Sequence, residues 1–358
     1  MIKVIENKMI AQNGQAVRYI KTLGLKDATG YIKKINEQIT RDFGLAGPLT
    51  LSTPSKRVHA VRWVVARESF IVETHVKRVL KEIVATSIAQ INKCPYCEDA
   101  HSTSITSTGN KYISEIITSG DWQTIKNPKI KQLVKWSLNT RNPNAEIIKN
   151  PPFSKQEASE IIGTALVFHS TNRLVNIFLE DSPLPSFLGK GLMKKVALNF
   201  ASKTLFKSMV EKQTVAGEGL QFIKDYKIPL KLDWSKENLP YSKALTAEKM
   251  VLNQIENDLI PKEVSMLFKE KINNWQGEEM PMGRSWLHEI INKINLDEKP
   301  VANIVFLAAF APYSITKSDI EAFRDIYNSD TELVEVCFWA IQNLTNRIGE
   351  WMIEPFQN

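Results

Sequence analysis

Residues 82–101 read Glu82-Ile83-Val84-Ala85-Thr86-Ser87-Ile88-Ala89-Gln90-Ile91-Asn92-Lys93-Cys94-Pro95-Tyr96-Cys97-Glu98-Asp99-Ala100-His101. No side chain from Ile83 to Asn92 is charged, and Val76, Val79, Leu80, Ile83, Val84, Ile88 and Ile91 recur at the spacing of one helix face. The residue before a proline is pushed out of the α region, so this helix is expected to stop near Lys93 or Cys94. Pro95 suits the first position of a new helix, with Cys94 near its N-cap and Cys97 in its first turn. There the Cys97 sulfur lies close to free backbone N–H groups and the positive end of the helix dipole, which favour thiolate over thiol. His101, one turn further along the same face, is placed to accept the Cys97 proton.

Glu82 opens a stretch that should be buried, and a carboxylate there needs a partner. In one straight helix it would lie about 18 Å before Cys94, at 1.5 Å per residue. If the chain reverses at Cys94-Pro95, Glu82 instead faces His101. A relay follows in which Glu82 orients His101 and His101 deprotonates Cys97. The alternative is a surface carboxylate paired with Arg78 or Lys81.

The remaining sequence narrows the class. The chain has 358 residues, 43% apolar and 24% charged, which excludes disorder and collagen. Three cysteines are too few to staple a chain this long as a secreted disulfide scaffold. A net charge of +7, spread over the whole length, does not argue for a nucleic-acid partner. No leader-like apolar run opens the chain, and the longest apolar stretch, about Val301 to Pro312, is short of the ~20 residues of a membrane span. The expectation is a cytoplasmic protein with reduced thiols, in which a close cysteine pair is redox-active or metal-binding.

The pattern is helical nearly throughout. Thr53-Pro54 reads as an N-cap and first position opening a helix to about Val72, and Thr74 as the next cap. Gly109-Asn110, Gly120-Asp121 and Asn142-Pro143-Asn144 read as breaks. Ser154 with Glu157 and Ser329 with Glu332 fit capping boxes, each opening a long apolar helix. Each helix then reaches Thr-Asn-Arg, at Thr171-Asn172-Arg173 and Thr345-Asn346-Arg347, with cap-to-Asn spacings of 18 and 17. Cap, helix and tripeptide in the same order suggest a duplication. The expected organisation is an N-terminal helical extension (1–50), a unit carrying the dithiol (51–182), a linker (183–214) and a second unit without the dithiol (215–358). Asp181-Ser182-Pro183-Leu184-Pro185 leads into the linker, which includes a basic helix from Leu188 to Met209, with Leu192, Val196 and Phe200 as its apolar stripe. This helix is expected to pack on its own protein, with membrane-surface binding as the alternative. The second unit offers only Asn274-Trp275-Gln276-Gly277-Glu278 where a dithiol would fall, and is expected to serve packing.

Cys-x-x-Cys has three common meanings. A zinc site needs four ligands, whereas only Cys94, Cys97 and His101 cluster, Cys337 being remote in sequence and reading as a buried core thiol in an apolar run; Glu82 or Glu98 would have to complete it. Glutaredoxins share Cys-Pro-Tyr-Cys but need a strand before it and a βαβ context. The third meaning is a helical thiol peroxidase. Glu82, eleven intervening residues, Cys94-x-x-Cys97, three residues and His101 together resemble the alkylhydroperoxidase D-like family of the carboxymuconolactone decarboxylase-like superfamily. The resemblance extends to the final helix of the domain, where Asn172-Arg173 is similar to an Asn-Arg pair often found in the family, and Arg41-Asp42-Phe43-Gly44 and the second half are similar to longer, two-repeat members of the superfamily.

The resemblance implies an all-α, alkylhydroperoxidase D-like helical bundle in duplicate, and thiol-dependent reduction of alkyl hydroperoxides without cofactor or metal. Cys97 would be the peroxidatic cysteine and Cys94 the resolving one, met by an external dithiol reductant of lipoyl or thioredoxin type. Glu82 and His101 would form the proton relay. Tyr96 stands where alkylhydroperoxidase D itself usually has His. Homo-oligomers, trimers foremost, are expected. Two other functions fit less of the pattern: a dithiol relay between a lipoyl-type reductant and another peroxidase, and a lactone decarboxylase, which does not need the cysteine pair. His169 is read as a core histidine, with pocket lining as the alternative, and His59, His75 and His288 as structural or exposed.

Overall fold

The computed structural model describes residues 17–44, 47–181, 196, 198–199, 202–226 and 233–357. Among these the chain is all-α, with one isolated antiparallel bridge, Val17 to Leu179, and no sheet. The first half carries α1 (Gly30–Asp42), α2 (Lys56–Ala66), α3 (Arg78–Ile91), α4 (Pro95–Ser107), α5 (Lys111–Ser119), α6 (Pro128–Leu138) and α7 (Lys155–Phe178). The second carries α8 (Leu239–Leu259), α9 (Lys262–Asn274), α10 (Ser285–Ile291), α11 (Lys299–Phe310), α12 (Lys317–Arg324) and α13 (Asp330–Ile353).

The two capping boxes open the two longest helices, α7 and α13, each of 24 residues. Ser154 Oγ accepts from Glu157 N at 3.3 Å while Glu157 accepts from Ser154 N at 3.0 Å. Ser329 and Glu332 repeat the exchange at 3.2 and 3.0 Å. A third box, Thr316 with Asp319, opens α12. α7 and α13 pack on each other, with Gly349 against Leu166. α2 packs on α8, α3 on α4 and α7, and α11 on α13. Trp63, Trp136, Phe306 and Trp339 are buried in one core that runs through both halves. Polar ties cross between them as well. Glu335 of α13 accepts from Ser55 Oγ at 2.6 Å and from Arg57 Nε at 2.8 Å, and Trp351 Nε1 donates to the Thr140 carbonyl at 2.7 Å.

Two helix starts differ from the sequence reading. Thr53 Oγ1 is occupied by Leu23 N and the Thr50 carbonyl, so Ser55, beyond Pro54, becomes the cap of α2. The amides of Thr74 and His75 are held by the Glu160 carboxylate, and α3 begins only at Arg78, whose N–H donates to Glu73. α2 ends in a π-helical turn, Arg67–Ile71, close to the expected Val72. The start of the basic helix, with Leu192 and Phe200, lies outside the described residues, and so does the first part of the chain. Val196 is exposed rather than part of an apolar stripe. The described end, Ser202–Phe206 and Lys207–Val210, buries Phe206 and Met209. Among the described residues no helix is long and apolar enough to cross a membrane.

Candidate active site

The dithiol turn is built by the end of α3. Cys94 N donates to the Ala89 carbonyl at 2.9 Å and Lys93 N to the Gln90 carbonyl at 3.0 Å, the double closure of a Schellman motif. Lys93 takes the left-handed position with φ of 51°, where glycine is usual. Asn92 Nδ2 donates to Asn172 Oδ1 at 3.0 Å, and Asn176 Nδ2 to the Asn92 carbonyl at 3.2 Å, so α7 holds the turn. Cys94 is the N-cap of α4 with Pro95 at its first position, and Cys97 lies in the first turn. Cys94 Sγ donates to Cys97 Sγ at 2.8 Å; both thiols are free and buried. Burial, and then the neighbouring Cys97 sulfur, push the Cys94 thiol well up, so it stays protonated and able to donate.

The reversal at this turn brings α4 back along α3. His101 Nδ1 lies 2.7 Å from Glu82 Oε2. Glu82 is fully buried, and its other oxygen accepts from Arg78 Nε at 2.8 Å. The carboxylate is therefore paired with Arg78, but inside the protein rather than on its surface. Lys81 is paired elsewhere, with Glu160. Burial would push the Glu82 carboxyl up, but Arg78 and His101 outweigh it and hold it below its ordinary value. An ionised carboxylate only accepts, so the proton between them belongs to His101 Nδ1. In the neutral ring Nε2 is then the free base. The Arg78 guanidinium lies 3.9 Å from the centroid of Phe70, and the His101 ring meets Phe168 edge-on at 4.4 Å. Arg41-Asp42-Phe43-Gly44 is near this cluster: Arg78 also stands over Phe43, and Asp42 accepts from Arg67 Nε at 2.7 Å.

Cys97 and His101 lie in the wall of a cavity of about 330 Å³, whose surface is mostly apolar. Tyr96, Phe70 and Phe168 line the same region. The second half contributes Tyr241, Leu245 and Glu248 from α8 and Phe338 and Gln342 from α13, so it closes the cavity as well as packing on the first half. Sequence reasoning missed these residues and Arg62; only the apolar periodicity of their helices could have hinted at them.

His169 sits in the core between Asn92 and Thr140, whose hydroxyl lies 2.9 Å from its Nε2, and does not line the cavity. His59 is buried between Ser52 and Asn36 and does line it; burial, then Arg62, pull its ring down to about 3. Cys337 is buried in α13, apart from the dithiol. Among the described residues no group of three or more His, Cys, Asp or Glu side chains is arranged to hold a metal ion.

No family model matches the chain. It is similar to an alkyl hydroperoxide reductase of Mycobacterium tuberculosis, with 27% identity over 337 residues, covering 94% of this chain and 95% of that protein. The similarity thus extends over both halves.

Proposed function

We propose that the chain is a thiol-dependent peroxidase that reduces organic hydroperoxides through a Cys94–Cys97 dithiol/disulfide cycle, as a two-repeat relative of the alkylhydroperoxidase D-like family. The observation that carries this reading is the direct Glu82–His101 contact at 2.7 Å beside Cys97 in the wall of an apolar cavity. The relative's name points the same way.

Glu82 fixes the tautomer that leaves His101 Nε2 as a base, and Nε2 takes the Cys97 proton. The thiolate attacks the terminal oxygen of ROOH and the O–O bond breaks. RO⁻ takes the proton back from His101 and leaves as ROH, with Cys97 now a sulfenic acid. Cys94 condenses with it, releasing water and forming the disulfide. Two electrons have passed from the thiols to the peroxide, and an external dithiol restores them by exchange. Cys94 is buried, so that exchange requires the Cys94-Pro95 turn to open.

Steady-state consumption of cumene hydroperoxide with dihydrolipoamide as reductant tests the reading. Turnover abolished by Cys97→Ser is expected. No consumption by fully reduced protein would overturn it.

A further inference from the structure

One wall of the cavity comes from neither half. Phe206 and Met209 line it from the segment between the two units, whose helical turns Ser202–Phe206 and Lys207–Val210 pack on α4. α4 turns Cys97, Ala100, His101 and Ser104 to the same cavity, at spacings that keep them on one helix face. The inter-unit wall and the reactive sulfur therefore share one space. Phe206 and Met209 are each only 7% exposed, yet neither belongs to the core that runs through both halves. What covers them is α4, Gly44 beside the Met209 side chain, and the cavity itself. An apolar side chain beside a void has no partner atoms on that side and forfeits those contacts. An apolar occupant restores them.

The segment is fixed at one end and lightly held over the cavity. Gly217, left-handed at φ of 85°, and Gly219 donate their amides to the buried Glu68 carboxylate at 2.9 and 3.4 Å. Between Met209 and that anchor, the polar tie to the first unit among the described residues is Lys212 Nζ to the Thr40 carbonyl at 2.9 Å, between exposed groups. Phe206 and Met209 themselves are held by apolar contact, so they can be exchanged without unpacking the shared core. The size of the space says which peroxides would feel them. Hydrogen peroxide needs little more than the ~30 Å³ share of a water molecule, and bound at Cys97 it leaves most of the about 330 Å³ unfilled. An organic group filling that space reaches the walls, and each methylene it buries strengthens binding roughly fourfold.

We propose that Phe206 and Met209 are specificity-determining residues: with the peroxide at Cys97 and His101, they form the wall that the organic group packs on, and they set which bulky, uncharged hydroperoxides are taken in preference to hydrogen peroxide. This deepens the peroxidase reading and rests on it. The redox step is the one already written, with R the apolar group against this wall and the dithiol the source of both electrons.

The test uses the full-length chain with dihydrolipoamide. It compares kcat/KM for cumene hydroperoxide, tert-butyl hydroperoxide and hydrogen peroxide, with calorimetric titration of cumyl alcohol, the unreactive product, alongside. In the wild type the cumene hydroperoxide rate should exceed that for hydrogen peroxide by roughly tenfold or more, which two buried methylene equivalents supply. Met209→Trp fills the space, so the ratio of the two should fall by roughly tenfold and cumyl alcohol should bind more weakly. Phe206→Ala removes the wall, so the ratio should fall through a raised KM for cumene hydroperoxide, the mark of lost binding away from the reacting atoms. Side chains that only hold the fold would lower every rate and leave the ratio alone. The wild-type comparison needs no variant to fold. A wild-type ratio near one, or a ratio unmoved in both variants, with cumene hydroperoxide still reduced through Cys97, overturns the assignment of the wall and leaves the peroxidase reading standing. Turnover of none of the three, with cumyl alcohol bound by the wild type and more weakly by Met209→Trp, overturns the peroxidase reading while the wall keeps its ligand; no turnover and no binding overturn both.

Discussion

Glu82 holds two chargeable side chains in one place. It is fully buried, bound on one oxygen by Arg78 and on the other by His101. Glu82→Gln keeps the shape but no longer forces the proton onto His101 Nδ1. Turnover should fall by at least roughly tenfold, since general-base assistance is typically worth ~10² to 10⁴. Read as a sequence, the change should leave folding almost untouched. The structure says otherwise, because Arg78 would be left buried without its counter-ion, which costs on the order of 3–5 kcal/mol. The pH dependence separates the two effects. A carboxyl held below its ordinary value of 4.5 contributes stability that is present above that value and is lost as pH falls through the lowered one. Thermal melting should therefore show the gap between wild type and Glu82→Gln shrinking below about pH 4.5. Equal turnover in a folded variant would reduce Glu82 to a structural charge.

At the scale of elements, the turn between α3 and α4 sets the site, and it was legible because its signals are local. The uncharged run after Glu82, the Cys94-Pro95 break and the Cys97-to-His101 spacing all lie within twenty residues of sequence. The caps of α7 and α13 were legible for the same reason. The start of α2 was not, because Thr53 is drawn off by Leu23, thirty positions away. Arg62, Tyr241 and Glu248 were invisible for a stronger version of this reason: their helices are far apart in sequence, and nothing in either marks one polar residue as facing a cavity. The turn also stores strain. Lys93 sits at φ of 51°, a region that costs a residue with a Cβ about 1–2 kcal/mol. Its ion pair with Glu279 is exposed on both sides and contributes little. Lys93→Gly should stabilise by about 0.5–1 kcal/mol, after the greater freedom of glycine in the unfolded chain is subtracted. Thermal melting measures this, and a lowered midpoint would show that the turn is not strained.

On the scale of the whole molecule, the two halves share a core and a cavity. α13 covers α7, α8 covers α2, and Ser55 and Arg57 are tied to Glu335. We propose that the halves descend from one helical unit, of which only the first keeps a dithiol. A fragment ending near Leu220 would uncover the faces of α2 and α7 and leave Cys97 beside an open groove. Light scattering should show aggregation. A monodisperse fragment with full peroxide turnover would mean that the second half neither completes the core nor shapes the site. The central claim, however, is about one sulfur. If Cys97 is the peroxidatic thiol and Cys94 resolves it, the sulfenic acid formed at Cys97 in Cys94→Ser cannot be resolved and persists for capture. The measurement is dimedone labelling of that variant after one equivalent of cumene hydroperoxide, read by peptide mass. The account predicts a single adduct on the peptide holding Cys97 and none on Cys337; an unlabelled Cys97 with the peroxide unconsumed would contradict it.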